Sequence, residues 1–274
     1  MLKQQNGRQY ITNPKIQAPD PEHIFHYTSN SVFLKICATK SLRLTHYKCL
    51  NDFKEGETEV KELQEFAQKS SKTKKRTDDG LQSDAYVMCF SEKPDMLSQW
   101  RAYGDGGHGV CIGFNLKKLR AALKLQSYLF ISRIQYDGEP HAAFATVLAG
   151  LKKVSQAQAN RTAKSGEINF FHTAIKIPLF HKAPEFSEER EWRIVARGDR
   201  KTALSETTLL ENIAEVFFDR GAYVVPALDI HLPAFIQAIE TIVVGPKNTS
   251  IPEHIQRATG RNSVNISASN ITYR

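Results

Sequence analysis

The segment Phe186-Ser187-Glu188-Glu189-Arg190-Glu191-Trp192-Arg193-Ile194-Val195 reads as a strand from Glu191 onward. Side chains alternate at period two along a strand. Trp192 and Ile194 therefore share one face, and Glu191, Arg193 and Val195 share the other, with Glu189 on the Glu191 side. One face would anchor the strand through an aromatic and an aliphatic side chain, while the other presents two carboxylates. Packing behind a carboxylate fixes its position, which suits a catalytic role. The same pattern also fits an edge strand with a solvated charged face and Glu–Arg pairs. Both readings of this segment stand.

Upstream, Ala85 to Ser91 forms a continuous apolar run through Tyr86, Val87, Met88, Cys89 and Phe90, as expected of a central strand covered on both faces. His23 to Thr28, Ser41 to Thr45, Gly109 to Phe114, Leu129 to Tyr136, Thr241 to Val244 and Ser263 to Ile266 read as further strands. Val216 to Val225 reads as a strand entry or hairpin around Asp219 and Gly221. Helices are expected over Ser31 to Thr39, capped by Ser29 or Asn30, over Glu55 to Lys75, and over Leu116 to Leu125. Another is expected over Ser250 to Thr259, with Pro252 in its first turn and Gly260 beyond its end. Pro94 opens a helical turn that runs through Trp100 and Tyr103. The elements do not alternate as βαβ units. The fold class is therefore α+β: a mixed, largely antiparallel central sheet with helices packed on it. Residues 1–21, polar and containing Pro14 and Pro19, read as a flexible arm or surface strap. Residues 22–274 read as one domain, with an Ala-rich basic helical insertion over about 138–180.

The length of 274 residues, with 41% hydrophobic and 24% charged residues, is ordinary for a globular chain. No apolar run is long enough to cross a bilayer, and Met1 to Asn13 lacks an apolar signal core, so the expectation is a cytoplasmic protein without a membrane partner. The formal charge of +8 is concentrated at Lys69–Arg76, Lys117–Lys124, Lys152–Lys164 and Arg197–Lys201. Such clusters serve solubility or bind an anionic partner such as nucleic acid. Cys37, Cys49, Cys89 and Cys111 show no C-x-x-C spacing and read as reduced, mostly buried residues. The histidines form no H-E-x-x-H or Cys/His cluster, so no metal site is indicated. Gly104, Gly106, Gly107 and Gly109 surround His108, but they lack a G-x-x-x-x-G-K-[ST] pattern and follow a helix, so they are not read as a phosphate loop.

Three strand ends combine polar residues with aromatics: His26-Tyr27-Thr28, Phe90-Ser91-Glu92, and Glu189 to Arg193. The cluster Ser98-Gln99-Trp100-Arg101-Ala102-Tyr103-Gly104 follows the second of these closely. Together they supply a histidine, a serine, stacking aromatics and paired carboxylates. That is a metal-free kit for a substrate with hydroxyls and flat rings.

These motifs, in this order, resemble a widespread prokaryotic family of unknown function. The match comprises His26-Tyr27-Thr28, Ser41-Leu42-Arg43-Leu44, Asn51-Asp52, Cys89-Phe90-Ser91, Trp100 with Tyr103, Gly109 to Phe114, Glu189-Arg190-Glu191-Trp192-Arg193, and Val244-Gly245-Pro246-Lys247. It runs from about Ile24 to Arg274. More distantly, a first strand with His-aromatic-Thr, a core strand ending aromatic-Ser and a late strand with Glu are similar to the ADP-ribosyltransferase superfamily. This resemblance implies an ADP-ribosyltransferase-like fold and NAD as substrate. It implies that His26 contacts the adenosine ribose with Thr28 and Tyr27 beside it, that Ser91 shapes the nicotinamide pocket, and that Glu191 holds the nicotinamide ribose hydroxyl. Trp100 or Tyr103 would stack on nicotinamide. Glu189 would orient or deprotonate the acceptor, as in the E-x-E of arginine-directed members. The chain departs from the His-Tyr-Glu members in having Ser91 in place of a core tyrosine, and from the Arg-Ser-Glu members in having His26.

The chemistry implied is cleavage of the nicotinamide–ribose bond through an oxocarbenium-like state. A carboxylate near the ribose stabilises the developing positive charge, and nicotinamide leaves without a general acid. ADP-ribose would pass to a nucleic-acid or protein acceptor. A related reading is a toxin or phage-defence effector that hydrolyses NAD and has a cognate antitoxin or immunity partner. The competing class is a non-catalytic nucleic-acid-binding module that uses the Lys69–Arg76 and Lys152–Lys164 clusters. A metal-free nuclease or phosphotransferase using His26 or His108 is a third reading.

Overall fold

The computed structural model describes residues 2–5, 8–11, 19–50, 84–124, 128–136, 179–180, 182–198, 212–221 and 223–273. The Asn51-Asp52 motif, the helix expected over Glu55 to Lys75, nearly all of the insertion over 138–180, and the clusters Lys69–Arg76 and Lys152–Lys164 lie outside the described residues. So does most of Arg197–Lys201.

Within the first segment, β1 (Leu2–Gln5) and β2 (Arg8–Ile11) pair antiparallel with each other. The other strands are β3 (His23–Thr28), β4 (Ser41–His46), β5 (Asp84–Ser91), β6 (Val110–Asn115), β7 (Leu129–Arg133), β8 (Glu191–Gly198), β9 (Ile213–Asp219), β10 (Val224–His231), β11 (Ile239–Val244) and β12 (Asn265–Ala268). These ten form a single sheet, ordered β12-β11-β6-β3-β5-β4-β10-β9, with β8 and then β7 branching from β5. Among the described residues, only β11 and β12 pair in parallel. The fold is thus α+β with a mostly antiparallel open sheet, as the element pattern indicated.

The branch at β5 organises the molecule. One edge of β5 pairs with β8 along its whole length, from Asp84↔Gly198 to Ser91↔Glu191. The other edge is shared. Phe25 of β3 pairs with Ser91, while Thr45 and His46 of β4 pair with Val87 and Tyr86. A strand has only two hydrogen-bonding edges, so β3 and β4 must splay apart along this one. Between them the sheet is split.

Helices cover one face. α1 (Asn30–Thr39) starts where Ser29 Oγ accepts from Val32 N, and ends at Lys40 in the left-handed region at φ 51°. α3 (Leu116–Leu123) is capped by Asn115, whose Oδ1 accepts from Lys118 N at 3.1 Å. α4 (Pro252–Thr259) begins with proline and ends at Gly260, φ 65°. Phe33, Leu119 and Ile255 from these helices meet Met88, Phe90, Ile112 and Trp192 from the sheet in the main core. Burying each such side chain contributes about 1.5–3 kcal/mol.

The opposite face carries two smaller clusters. The short helix α2 (Leu97–Ala102) lays Trp100 on Tyr27, Cys111 and Val243. Leu179 packs on Ala85, Val87 and Val195. Tyr86, Met88 and Phe90 thus face the main core while Ala85 and Val87 face the second cluster, so β5 is covered on both sides, as its continuous apolar run indicated.

β8 is not an edge strand. It lies between β5 and β7, and both Glu191 and Arg193 are buried. Trp192 and Ile194 do face the core, with Glu191, Arg193 and Val195 opposite. Glu189 lies outside the strand, in a 3-10 turn over Pro184–Glu189, because Arg190 adopts φ 44° and redirects the chain. The segment from Val216 resolves as a full hairpin of β9 and β10, turning at Gly221 with φ 77°. Pro226 and Asp229 interrupt the apolar pattern of β10, so its extent to His231 was not evident from the sequence.

Candidate functional site

A cavity of about 110 Å³ opens on the face opposite the main core, where the sheet splits. Register explains what lines it. Phe25, Ser91 and Glu191 stand side by side across β3, β5 and β8, and Cys89 lies opposite Arg193 one pleat further along. Polar residues here are framed by the two apolar clusters of that face.

Glu191 is held in a fork. Its Oε1 accepts from Arg193 Nε at 2.6 Å, and its Oε2 accepts from Arg193 Nη2 at 3.0 Å. Lys182 Nζ lies 3.5 Å from the same Oε2 and donates to Glu189 Oε2 at 2.7 Å. Arg193 Nη1 also donates to Leu179 O at 3.1 Å. Two carboxylates and two cations thus interlock, with side chains 4–7% exposed except for Glu189 at 18%. A carboxylate has about four acceptor positions. The contacts of Glu191 with Arg193 and Lys182 occupy about three, leaving one for a hydroxyl in the cavity.

The strand beneath is well anchored. Trp192 is 1% exposed, and its Nε1 donates to Glu92 Oε1 at 2.9 Å. The guanidiniums of Arg120 and Arg133 sit 5.4 and 5.2 Å from the centroid of its ring. Tyr136 hydroxyl takes the Glu191 backbone N–H at 2.8 Å.

His26 lines the cavity from β3, against β5. Its Nδ1 lies 2.9 Å from Cys89 O, and its ring centroid lies 5.7 Å from that of Phe90. A carbonyl only accepts, so Nδ1 carries the hydrogen of the neutral ring and Nε2 is left as an acceptor. Burial lowers the His26 pKa, which favours that neutral form.

Ser91 lines the cavity, yet its hydroxyl is engaged in the backbone. Oγ donates to Glu189 O at 2.7 Å and accepts from Lys93 N at 3.0 Å. It therefore latches the turn bearing Glu189 to the end of β5. Tyr27 also lines the cavity, and its hydroxyl bridges Lys93 O and Met96 N. Tyr103 stands at the rim, 43% exposed, with its hydroxyl pKa pushed up to about 12 by burial and then by the Glu189 carboxylate. Trp100 and Thr28 are not part of the lining. Trp100 is fully buried edge-on to Tyr27, with ring centroids 4.9 Å apart, and its Nε1 donates to Asp95 Oδ1 at 2.6 Å. Thr28 is buried at the far end of β3, paired with Val110.

So His26, Tyr27, Ser91, Tyr103, Glu189 and Glu191 converge on one cavity, Trp100 backs its wall through Tyr27, and Thr28 does not belong to it. Sequence reasoning assigned no role to Lys182, Gln99 or Arg220, and read Arg193 only as a member of Glu–Arg pairs. Arg220, from the β9–β10 turn, lines the cavity and donates to Cys49 O at 2.8 Å. Gln99 lines it from α2 and is 7% exposed, yet neither atom of its side-chain amide has a hydrogen-bond partner among the described residues. The signal for Gln99 was present in the sequence, since Gln99 and Tyr103 are one helical turn apart.

A family model described as a protein of unknown function (DUF2971) matches residues 99–194, which span Gln99, Tyr103, Lys182, Glu189, Glu191 and Arg193. No curated protein and no solved structure matches the chain. No helix among the described residues is long and apolar enough to cross a membrane. The similarity to an uncharacterised family therefore covers α2 through the start of β8, the part of the chain that supplies most of the cavity's charged wall.

Proposed function

We propose that this protein cleaves the nicotinamide–ribose bond of NAD and transfers ADP-ribose to a macromolecular acceptor or to water, on an ADP-ribosyltransferase-like version of the fold. The observation that carries the reading is the convergence of His26, Ser91, Glu189 and Glu191 on one cavity, from segments as far apart as β3 and β8. In this reading the nicotinamide end enters between Phe25, Tyr27 and Tyr103. Glu191, held by Arg193, uses its remaining acceptor position for a ribose hydroxyl and stabilises positive charge as the C1′–N bond breaks. The bonding electrons leave with the nicotinamide nitrogen, which departs neutral. The acceptor attacks C1′, and its proton passes to Glu189, the more accessible carboxylate. The neutral imidazole of His26 offers Nε2 to a hydroxyl of the dinucleotide.

The test is nicotinamide release from NAD by the full chain, with and without RNA, DNA and cell lysate, beside Glu189→Gln, Glu191→Gln and His26→Gln. Thermal unfolding of each variant establishes that it is folded. Removing a charge-stabilising group of this kind lowers turnover by about 10²–10³, so release is expected in the wild type and a loss of that order in folded Glu191→Gln. Wild-type protein that neither binds NAD nor releases nicotinamide under any of these conditions would overturn the proposal.

A further inference from the structure

We propose that Gln99 reads a primary amide, so that the cavity accepts a flat, uncharged ring bearing a carboxamide and rejects the corresponding acid. Identifying that ring as the nicotinamide of NAD rests on the function proposed above. The amide preference itself rests on Gln99 and its surroundings.

Gln99 is 93% buried, being 7% exposed, and it lines the cavity without an internal hydrogen-bond partner for its side chain. Several other polar groups lining the same cavity are committed. Ser91 Oγ holds Glu189 O and Lys93 N, Tyr27 hydroxyl holds Lys93 O and Met96 N, and Lys182 joins Glu189 and Glu191. Gln99 is thus a polar group presented to whatever enters.

The backbone that carries it is held in place. The neighbouring Trp100 is completely buried and donates to Asp95, and the backbone carbonyl of Gln99 accepts from both Tyr103 N and Gly104 N. A Cβ on Gly104 would stand 2.4 Å from Trp100 Cε3, so only glycine lets the helix end lie this close to the indole. The helix end thus fixes where the Gln99 side chain leaves the backbone beside the cavity.

A glutamine amide offers donors and an acceptor side by side in one plane. Its best complement offers the reverse pair, as a primary carboxamide does. A carboxylate offers acceptors only and would set an oxygen against the Gln99 carbonyl. Phe25, Tyr27 and Tyr103 supply aromatic surface for a flat ring, and a cavity of about 110 Å³ suits a ring better than a whole nucleotide. A site built to hydrogen-bond a polar group discriminates strongly against an analogue that cannot reciprocate.

The experiment measures binding of nicotinamide and of nicotinic acid to the full-length chain by calorimetry and ligand-observed NMR, for wild type, Gln99→Leu and Gln99→Glu. Wild type is expected to prefer nicotinamide by roughly tenfold or more, and Gln99→Leu to weaken nicotinamide by a similar factor and erase the preference. Gln99→Glu, which keeps the shape, is expected to lose the preference as well. Equal wild-type affinity for both compounds, binding of neither, or an unchanged preference in both variants would overturn the amide assignment. Failure of the two proposals is separable. Amide preference through Gln99 without NAD cleavage would refute only the activity. NAD cleavage with a preference indifferent to Gln99 would refute only this inference.

Discussion

Replacing Arg193 by methionine tests whether the Glu191–Arg193 fork holds the fold together as well as orienting a candidate catalytic carboxylate. The two groups meet through bonds of 2.6 and 3.0 Å, with side chains 5% and 7% exposed. Unit charges about 4 Å apart attract by about 4 kcal/mol at an effective dielectric near 20. Removing one member of a buried pair costs about 3–5 kcal/mol, because the other stays buried without compensation. Lys182, 3.5 Å from Glu191, supplies part of that compensation, so about 3 kcal/mol is expected for Arg193→Met. Replacing both, as Glu191→Leu with Arg193→Met, removes the stranded charge. Lys182 still keeps Glu189 at 2.7 Å, and the double variant is expected within roughly 1 kcal/mol of wild type. The assay is equilibrium urea denaturation of wild type, both single variants and the double variant, with the slopes compared to establish a common unfolded state. A favourable coupling energy of about 2 kcal/mol or more is expected from the cycle. Additive losses, with coupling below about 0.5 kcal/mol, would refute the reasoning. Glu191 would then not depend on Arg193, and its location would have to be explained by the strand alone.

Glu240 supplies a pH test. It accepts from Lys118 first, then from His23 and Asn115, and these contacts hold its pKa at about 2 against an ordinary 4.5. Since the folded value is the lower one, its stabilisation is complete above about pH 4.5 and disappears as pH falls toward 2. Glu240→Gln should therefore flatten the acid limb of a plot of urea midpoint against pH, and an unchanged limb would show that stability is lost elsewhere. Ser91→Ala deletes a hydroxyl that is 2% exposed and makes two backbone hydrogen bonds, for an expected loss of about 1–3 kcal/mol in the same assay. A neutral Ser91→Ala would show that the turn bearing Glu189 does not need this latch.

How far the sequence could be read depended on whether the information was local. The alternation in Glu191 to Val195 sorted the faces of β8 correctly, because side-chain direction along a strand follows from backbone geometry alone. The apolar run Tyr86 to Phe90 marked the central strand for the same reason, and Ser29, Pro252 and Gly260 marked helix ends through caps made within a few residues. That Glu189 stands in a turn beside the strand was not legible, because nothing in the local composition announced the left-handed conformation of Arg190. Arginine adopts that conformation only when its surroundings impose it.

By itself, then, the sequence determined the α+β class, the identity of most strands, the two faces of β8, and the set of polar residues from which a site could be drawn. Only the tertiary structure decided that β3 and β4 share one edge of β5, opening the split that holds the cavity. Only it decided that Glu191 is buried and forked by Arg193 rather than solvated, that Lys182 ties both carboxylates, and that Gln99 faces the cavity unpaired while Trp100 does not reach it. The reason is separation along the chain. Periodicity and caps act over a few residues, whereas Ser91 reaches Glu189 across 98 positions, where the pairing of Ser91 with Glu191 brings the two strands together in a way that no local pattern specifies.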